Sequence, residues 1–196
     1  MSAPLDKATA IRAIIEATSE QPIIFSTGYA CRFACGIADR ENHFYMTGSM
    51  GLASSIAIGV ALETRHTTVV VDGDGSLVMN PVGLVIAGGL QHLPLVHIVL
   101  DDGRYASTGG QAVPAANADL CALARASGYR WVSSTDRLDR FTDTVRGALT
   151  DRSSPAFIHA ALTGDEPAVH GRVDGTLSER ARRFKANLAE NAVRSG

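Results

Sequence analysis

A chain of 196 residues with 45% hydrophobic content is long enough to bury a full core and short for two domains. Its net charge of -2 and scattered Lys and Arg residues exclude the basic field that nucleic-acid binding needs. No apolar run reaches the roughly 18 residues of a membrane-spanning helix, and the N-terminus lacks a signal-peptide pattern. We therefore predict one cytoplasmic domain over 1–196 with no nucleic-acid or membrane partner, with a core near 7–163 and a C-terminal loop and helix over 164–196.

The chain alternates between segments with helical spacing and segments with strand character. Helices are predicted over 7–18, 53–63, 81–90, 118–127 and 138–149, and strands over 22–25, 44–46, 67–71, 95–100, 130–132 and 156–162. Strands such as Thr67–Val71 have no polar face, which is typical of parallel sheets buried on both sides. The alternation predicts an α/β fold, a three-layer, doubly wound parallel sheet.

Two neighbouring strands of this pattern end in carboxylates. One runs into Gly73-Asp74-Gly75-Ser76, and the next runs into Asp101-Asp102-Gly103, which places Asp102 28 positions after Asp74. Parallel strands would bring both carboxylates to the edge where open α/β sheets bind ligands. Mg2+ combines carboxylates with phosphate oxygens and water, and N–H groups at a turn into a helix suit an anion. The spacing therefore predicts a Mg2+ site carrying a diphosphate, whereas Gly-Asp-Gly by itself would indicate only a turn.

These residues resemble the thiamine diphosphate motif, in which Gly-Asp-Gly is followed by a pair of asparagines. The resemblance implies a thiamine diphosphate-binding fold of the PP type, with thiamine diphosphate and Mg2+ as cofactors. It also implies that Asp74, Asp102 and the backbone carbonyl of Arg104 are the metal ligands. Because Asp102 stands where the family usually has asparagine, the pocket has an added negative charge that a cation such as Arg104 would balance.

A second segment, Gly48-Ser49-Met50-Gly51, resembles the part of this family that holds the aminopyrimidine ring. By that resemblance the Gly48 carbonyl accepts from the 4′-amino group, and the Met50 side chain wedges the cofactor into a bent shape. The implied cofactor-binding residues are Gly48, Ser49, Met50, Gly73, Asp74, Gly75, Ser76, Asp102, Arg104, Ser107 and Thr108.

Three segments together resemble the sulfopyruvate and phosphonopyruvate decarboxylases: Ser26–Tyr29, Gly48–Gly51 and Ser107–Gln111. The resemblance implies a carboxy-lyase subunit that converts sulfopyruvate to sulfoacetaldehyde and CO2, or alternatively one acting on phosphonopyruvate. In this family the glutamate that activates the cofactor belongs to the pyrimidine-binding domain, and we find no such domain in the sequence. The resemblance therefore implies a heteromer with a separate pyrimidine-binding α subunit, and self-association as well.

Two other classes of function remain open. A nucleotide-binding oxidoreductase is disfavoured because no Gly-x-Gly-x-x-Gly turn follows the first strand. A non-catalytic domain that keeps the fold for cofactor binding or assembly is the other alternative. For the anionic end of a substrate, the local candidates are Arg32, Arg104 and Arg172, which could form charge-assisted hydrogen bonds.

The remaining polar and thiol residues are interpreted structurally. Cys31, Cys35 and Cys121 are predicted to be buried small hydrophobic residues and not disulfide or zinc ligands. Thr176 and Glu179 have capping-box spacing, so a helix is predicted to start there. Its apolar face is expected to pack on this domain or on a neighbouring subunit, and its basic residues are expected to face solvent. The apolar face comprises Leu177, Ala181, Phe184 and Leu188, and the basic residues are Arg180, Arg182, Arg183 and Lys185.

Overall fold

The computed structural model describes residues 5–150, 154–163, 168 and 171–195. Within them, the strands are β1 Ile23–Phe25, β2 His43–Tyr45, β3 Thr68–Gly73, β4 Leu95–Asp101, β5 Trp131–Thr135 and β6 Ala156–Ala161. The helices are α1 Lys7–Ala17, α2 Tyr29–Ile37, α3 Ala53–Thr64, α4 Asp74–Met79, α5 Val82–Gly89, α6 Leu120–Ala126, α7 Leu138–Thr150 and α8 Leu177–Ser195. A 3-10 turn covers Pro114–Asn117.

The strands form a single parallel sheet in the order β2-β1-β3-β4-β6-β5. One face is covered by α1, α2 and α7 around a core that includes Ile11, Phe33 and Phe141. The other face is covered by α3, α5 and α6 around a core that includes Ala57 and Leu84. The predicted three-layer α/β sheet is therefore confirmed. The chain leaves β1 in one direction for β2 and returns on its other side as β3, so the ligand-binding switch point lies between β1 and β3.

Two helices were not predicted, and both border the switch point. α2 places Ala30, Phe33 and Ala34 on a buried face, a helical spacing that is present in the sequence but interrupted by two cysteines and a glycine. α4 begins at Asp74 itself, so the turn predicted at the glycine motif is the first turn of a helix. Pro81 then separates α4 from α5, because the residue before a proline is disfavoured in the helical region.

The C-terminal helix α8 packs on its own chain. Its capping box is confirmed, since the Thr176 N–H donates to Glu179 at 2.9 Å and the Glu179 N–H donates to Thr176 Oγ1 at 3.2 Å. Phe184 packs against Phe44 of β2 with ring centroids 5.3 Å apart. The predicted apolar face is partly wrong, because Leu177 is 59% exposed and Ala181 is exposed as well.

The inward face of α8 is rotated from the predicted one and carries polar residues. It comprises Arg180, Arg183, Phe184, Asn187, Leu188 and Asn191. Arg183 pairs with Asp39 through two hydrogen bonds of 2.8 and 2.5 Å. The prediction that all four basic residues face solvent is therefore also wrong, because Arg180 and Arg183 are directed at the domain.

Cys31 and Cys121 are buried, as predicted, whereas Cys35 is only half-buried, and all three are free thiols. Among the described residues, no helix is both long and apolar enough to cross a membrane.

Candidate functional site

Three carboxylates meet where β3 and β4 end. The two strands are adjacent and parallel, with Gly73 paired to Leu100, so the next residues in register are Asp74 and Asp101. Asp74 is only 3% exposed, and its Oδ2 has no hydrogen-bond partner among the described residues. Asp102 follows directly and its charge also acts on Asp74. The edge of the sheet beside the switch point is therefore strongly acidic.

The electrostatics of this cluster favour an added proton or cation. Burial, followed by the charge of Asp101, raises the pKa of Asp74 to about 7. A hydrogen bond from His159, at 2.8 Å, lowers the pKa of Asp101 against the opposing effect of burial. The Asp74 and Asp101 side chains are close enough to hydrogen-bond to each other, which requires one of the two carboxyl groups to carry a proton. A divalent cation bound between them would make that proton unnecessary.

Asp101 and His159 were missed by the sequence reasoning. Asp101 was part of the acidic pair, but only Asp102 was assigned a role. The pairing register supplied the missing signal, because it places Asp101 and not Asp102 directly beside Asp74.

The added charge of Asp102 is balanced by a lysine. Lys7, in the first turn of α1, donates to Asp102 Oδ2 at 2.7 Å, and both side chains are nearly buried. Arg104 was expected near this charge, but its side chain is exposed and no ion pair joins it to Asp102 among the described contacts. α1 therefore supplies the compensating cation. The sequence did not reveal this pairing because Lys7 and Asp102 are 95 positions apart.

The Arg104 carbonyl is oriented for a further contact. Arg104 forms an antiparallel bridge with Ala112. The hydrogen bonds of that bridge use the Gly103 carbonyl and the Tyr105 N–H, at 3.0 and 2.8 Å. Hydrogen bonds that flank a bridged residue leave its own carbonyl directed away from the partner segment. That carbonyl is therefore available as an oxygen ligand.

The start of α4 is tightly enclosed. A Cβ atom at Gly75 would lie 2.3 Å from Cε1 of Tyr105, so a side chain does not fit there without movement of the ring. Ser76 Oγ accepts from the Gly51 N–H at 3.0 Å, and Asn80 Nδ2 donates to the Gly51 carbonyl at 3.0 Å. These bonds fix α4 against the Gly48–Gly51 loop. The Ser76 hydroxyl keeps its own proton to donate.

The Gly48–Gly51 loop has an unusual backbone. Gly48 and Ser49 are both left-handed, with φ of 75° and 52°. A non-glycine residue in this region is uncommon and clusters at functional sites. The Gly48 N–H donates to Thr27 Oγ1 at 3.1 Å, which ties the loop to the end of β1. Met50 follows, half-buried, at the wall between two cavities.

These cavities form one cleft across the switch point. The smaller, of about 60 Å³, lies over the carboxylates and is also lined by Gly73, Ser76 and Arg104. The larger, of about 430 Å³, lies beyond Met50 and is lined by Gly48, Ser49 and Thr108. Thr27, Met50 and Ser107 line both. Every residue predicted to bind the cofactor therefore lies around one continuous cleft.

The predicted anion-binding arginines are divided between the two cavities. Arg104 lines the smaller one, whereas Arg32 and Arg172 line the larger one. The larger cavity also receives Arg180 of α8, which the sequence reasoning assigned to solvent. No glutamate among the described residues lines either cavity, and Glu166 lies outside the described residues.

The site fits a magnesium diphosphate group. The described residues contain no group of three His, Cys, Asp or Glu side chains arranged to hold a metal. Two carboxylates and a carbonyl are a different set, which is completed by phosphate oxygens and water. The unpartnered Asp74 Oδ2, on a residue that lines the smaller cavity, is the feature that such a group would complete.

Comparisons with known proteins agree with this geometry. Residues 26–160 match the family model described as thiamine pyrophosphate enzyme, C-terminal TPP binding domain. A phosphonopyruvate decarboxylase of Streptomyces viridochromogenes is 40% identical over 177 residues, which are 89% of this chain and 44% of that protein. A sulfopyruvate decarboxylase subunit beta of Methanothermobacter thermautotrophicus is 39% identical over 135 residues, which are 69% of this chain and 73% of that subunit.

Among solved structures, the thiamine diphosphate-dependent 4-hydroxybenzoylformate decarboxylase of Rhodococcus jostii RHA1 superposes with a TM-score of 0.71 at 21% identity. The match covers 85% of this chain and 34% of that one, and it supports the fold. The chain spans about half the length of the phosphonopyruvate decarboxylases it matches, at 44% and 49%.

Proposed function

The chain belongs to the thiamine pyrophosphate enzymes through their C-terminal TPP binding domain, and from this premise we propose that it is a subunit of a 2-oxo acid decarboxylase. The cofactors of the proposed enzyme are thiamine diphosphate and Mg2+, and the proposed reaction converts sulfopyruvate to sulfoacetaldehyde and CO2. Phosphonopyruvate is the alternative substrate, because two relatives of that name are 40% and 38% identical to this chain.

One observation carries the proposal: a buried carboxylate with one unpartnered oxygen stands at the switch point beside a strained glycine loop. Asp74 gives the carboxylate, whose Oδ2 has no hydrogen-bond partner among the described residues, and Gly48 and Ser49 give the loop. A buried carboxylate oxygen without a partner is costly unless a ligand binds it. Such a carboxylate next to a strained backbone is typical of a binding site and not of a domain that serves only in assembly.

In the proposed site, this chain positions the cofactor and orients it. Asp74, Asp102 and the Arg104 carbonyl would hold Mg2+, and the N–H groups of Gly75 and Ser76 would bind diphosphate oxygens. Gly48 and Met50 would hold the ring end, and Ser107 and Thr108 would line the substrate side. Thiamine diphosphate, when bound, supplies the electron sink for the electron pair left by departing CO2. Lys7 keeps the added charge of Asp102 from opposing the diphosphate.

A separate pyrimidine-binding subunit is proposed as the partner, with self-association of the assembled pairs. An exposed apolar surface borders the cleft and supports this proposal. We call it the α3–α5 surface; its residues, between 45% and 61% exposed, are Leu52, Met79, Val82, Val85 and Ile86. Clustered apolar exposure of this kind marks protein interfaces. Leu52 and Met79 adjoin Gly51 and Asn80, which are joined by a hydrogen bond, so this surface begins next to the Gly48–Gly51 loop.

A cytoplasmic location is part of the proposal. It is supported by three free thiols, because reduced cysteines are the rule in that compartment.

The test is co-expression of the chain with a candidate pyrimidine-binding subunit, followed by measurement of CO2 release. Sulfopyruvate, phosphonopyruvate and pyruvate are each supplied with thiamine diphosphate and Mg2+. The proposal predicts turnover of sulfopyruvate or phosphonopyruvate that needs both subunits and is abolished by Asp74→Asn. The exposed Asp143→Asn variant is the matched control and should retain full activity. Absence of CO2 release from all three acids in the assembled complex would contradict the decarboxylase assignment.

A further inference from the structure

Arg180 has a guanidinium group whose hydrogen bonds are incomplete. It lies in the first turn of α8, and its Nη2 donates to Thr47 Oγ1 at 3.2 Å. Its Nε and Nη1 are shielded from solvent and have no hydrogen-bond partner among the described residues. Shielded donors of a charged group are costly to leave unpaired. Within the part of the chain that the structure describes, no residue supplies these acceptors, and an acceptor from a ligand would complete the set.

The larger cavity, which Arg180 lines, is cationic. Arg32 and Arg172 also line it, and no aspartate or glutamate does among the described residues. The Cys31 thiol lies among these charges, because Arg32 and Arg180 both lower its pKa against the larger effect of burial, which raises it. A cavity of about 430 Å³ with an excess of guanidinium groups suits a small anion.

The guanidinium is held in place by the rest of α8. Arg183, one turn further along, forms a bidentate pair with Asp39, and Phe184 packs on Phe44. Arg183 also donates to the Arg40 carbonyl at 3.3 Å. These contacts anchor the helix to β2 and to the segment before it. Arg180 is therefore presented to the cavity by a fixed helix, which lowers the cost of ordering it on binding.

We infer that Arg180 is a specificity-determining residue that binds the terminal sulfonate or phosphonate of the substrate in the larger cavity. The inference rests on the proposed function and identifies a residue of its substrate site. The smaller cavity contains the carboxylates and so repels an anion unless a metal is present. The larger cavity lies on the other side of Met50, and no described carboxylate lines it to oppose an anionic end. A tetrahedral oxyanion has several acceptor oxygens and can satisfy both unpaired nitrogens at once.

The test measures kinetics and binding on the assembled two-subunit complex. Arg180→Gln removes the charge and keeps a polar side chain, while Arg182→Gln is the matched control on the exposed side of the same helix. A charge-assisted pair of this kind corresponds to about a 10- to 100-fold effect. Arg180→Gln should raise KM for sulfopyruvate or phosphonopyruvate by that factor, leave KM for pyruvate within about twofold and change kcat little. Arg182→Gln should match the unaltered complex.

A binding measurement separates the inference from the proposed function. Sulfoacetate has the anionic end without the 2-oxo group, so calorimetry reports its binding in the absence of turnover. The inference predicts saturable binding that Arg180→Gln weakens at least about tenfold and that acetate does not reproduce. Sulfoacetate binding that is unchanged in Arg180→Gln would overturn the inference even if decarboxylation is observed. Arg180-dependent binding without any CO2 release would support the anion site and count against the decarboxylase instead. Failure of sulfoacetate to bind would also overturn the inference.

Discussion

Replacing Asp74 with asparagine is expected to stabilise the metal-free chain above pH 7. The pKa of this carboxyl rises from an ordinary 3.8 to about 7, and each tenfold change in a protonation equilibrium is worth about 1.4 kcal/mol. Ionisation of Asp74 therefore costs the fold on the order of 4 kcal/mol above pH 7. Because the folded-state pKa is raised, the stability present at low pH is lost as pH rises through about 7.

The assay is urea unfolding of the full chain in EDTA at several pH values between 4 and 8. The stability difference between Asp74→Asn and the unaltered chain should be below about 1 kcal/mol at pH 4 and should grow to about 4 kcal/mol at pH 8. Asp143→Asn, at an exposed position on α7, controls for the loss of one negative charge. A variant that is less stable than the unaltered chain at pH 8 would refute the reasoning, since it would mean that Asp74 is satisfied within the fold.

Three further substitutions probe the surroundings of the site. Burial lowers the pKa of His43 from 6.5 to about 4. The unaltered chain should therefore lose about 3 kcal/mol of stability through this residue as pH falls from 6.5 to 4. His43→Phe should abolish that loss, and urea unfolding should show a flatter dependence of stability on pH. Lys7→Met leaves the Asp102 carboxylate without its lysine partner and should lower the free energy of unfolding by about 1–3 kcal/mol. The double variant Lys7→Met, Asp102→Asn should recover most of this loss. Additive losses in the double variant would argue against the pairing. Gly28 has a φ of 99°, and a Cβ atom there would lie only 2.7 Å from Ser107 Oγ. Gly28→Ala should therefore lower stability by about 1–3 kcal/mol, as measured by thermal unfolding. Adding Ser107→Ala should restore only part of this stability, because the backbone strain remains.

The fold was predictable because its central strands are buried on both faces. β3 and β4 are mostly apolar and almost wholly buried, so their existence and parallel pairing followed from the sequence, although β3 extends two residues beyond its predicted end at Val71. α2 and α4 were harder to predict from the sequence. α4 is a six-residue helix, too short for a periodic signal, and its first residue is the aspartate that was assigned to a turn.

The sequence could not reveal which charges pair with one another across the site. Asp102 is bound by Lys7, 95 positions away, and local reasoning chose the neighbouring Arg104 instead. Arg180 was assigned to solvent because the apolar spacing of α8 places it beside exposed charges. The helix is in fact rotated, since Phe184 packs on Phe44 and Arg183 pairs with Asp39. Such pairings depend on tertiary docking of a helix, which no local pattern encodes.

The most direct test of the central claim is a titration of thiamine diphosphate, followed by calorimetry, into the assembled complex with Mg2+ or with EDTA. The proposed site predicts saturable binding that requires Mg2+ and is lost in Asp74→Asn but retained in Asp143→Asn. It also predicts that Lys7→Met weakens binding, because the charge of Asp102 then opposes the diphosphate. Tight binding that persists in EDTA, or that is unaffected by Asp74→Asn, would contradict the assignment of this cleft as the magnesium diphosphate site.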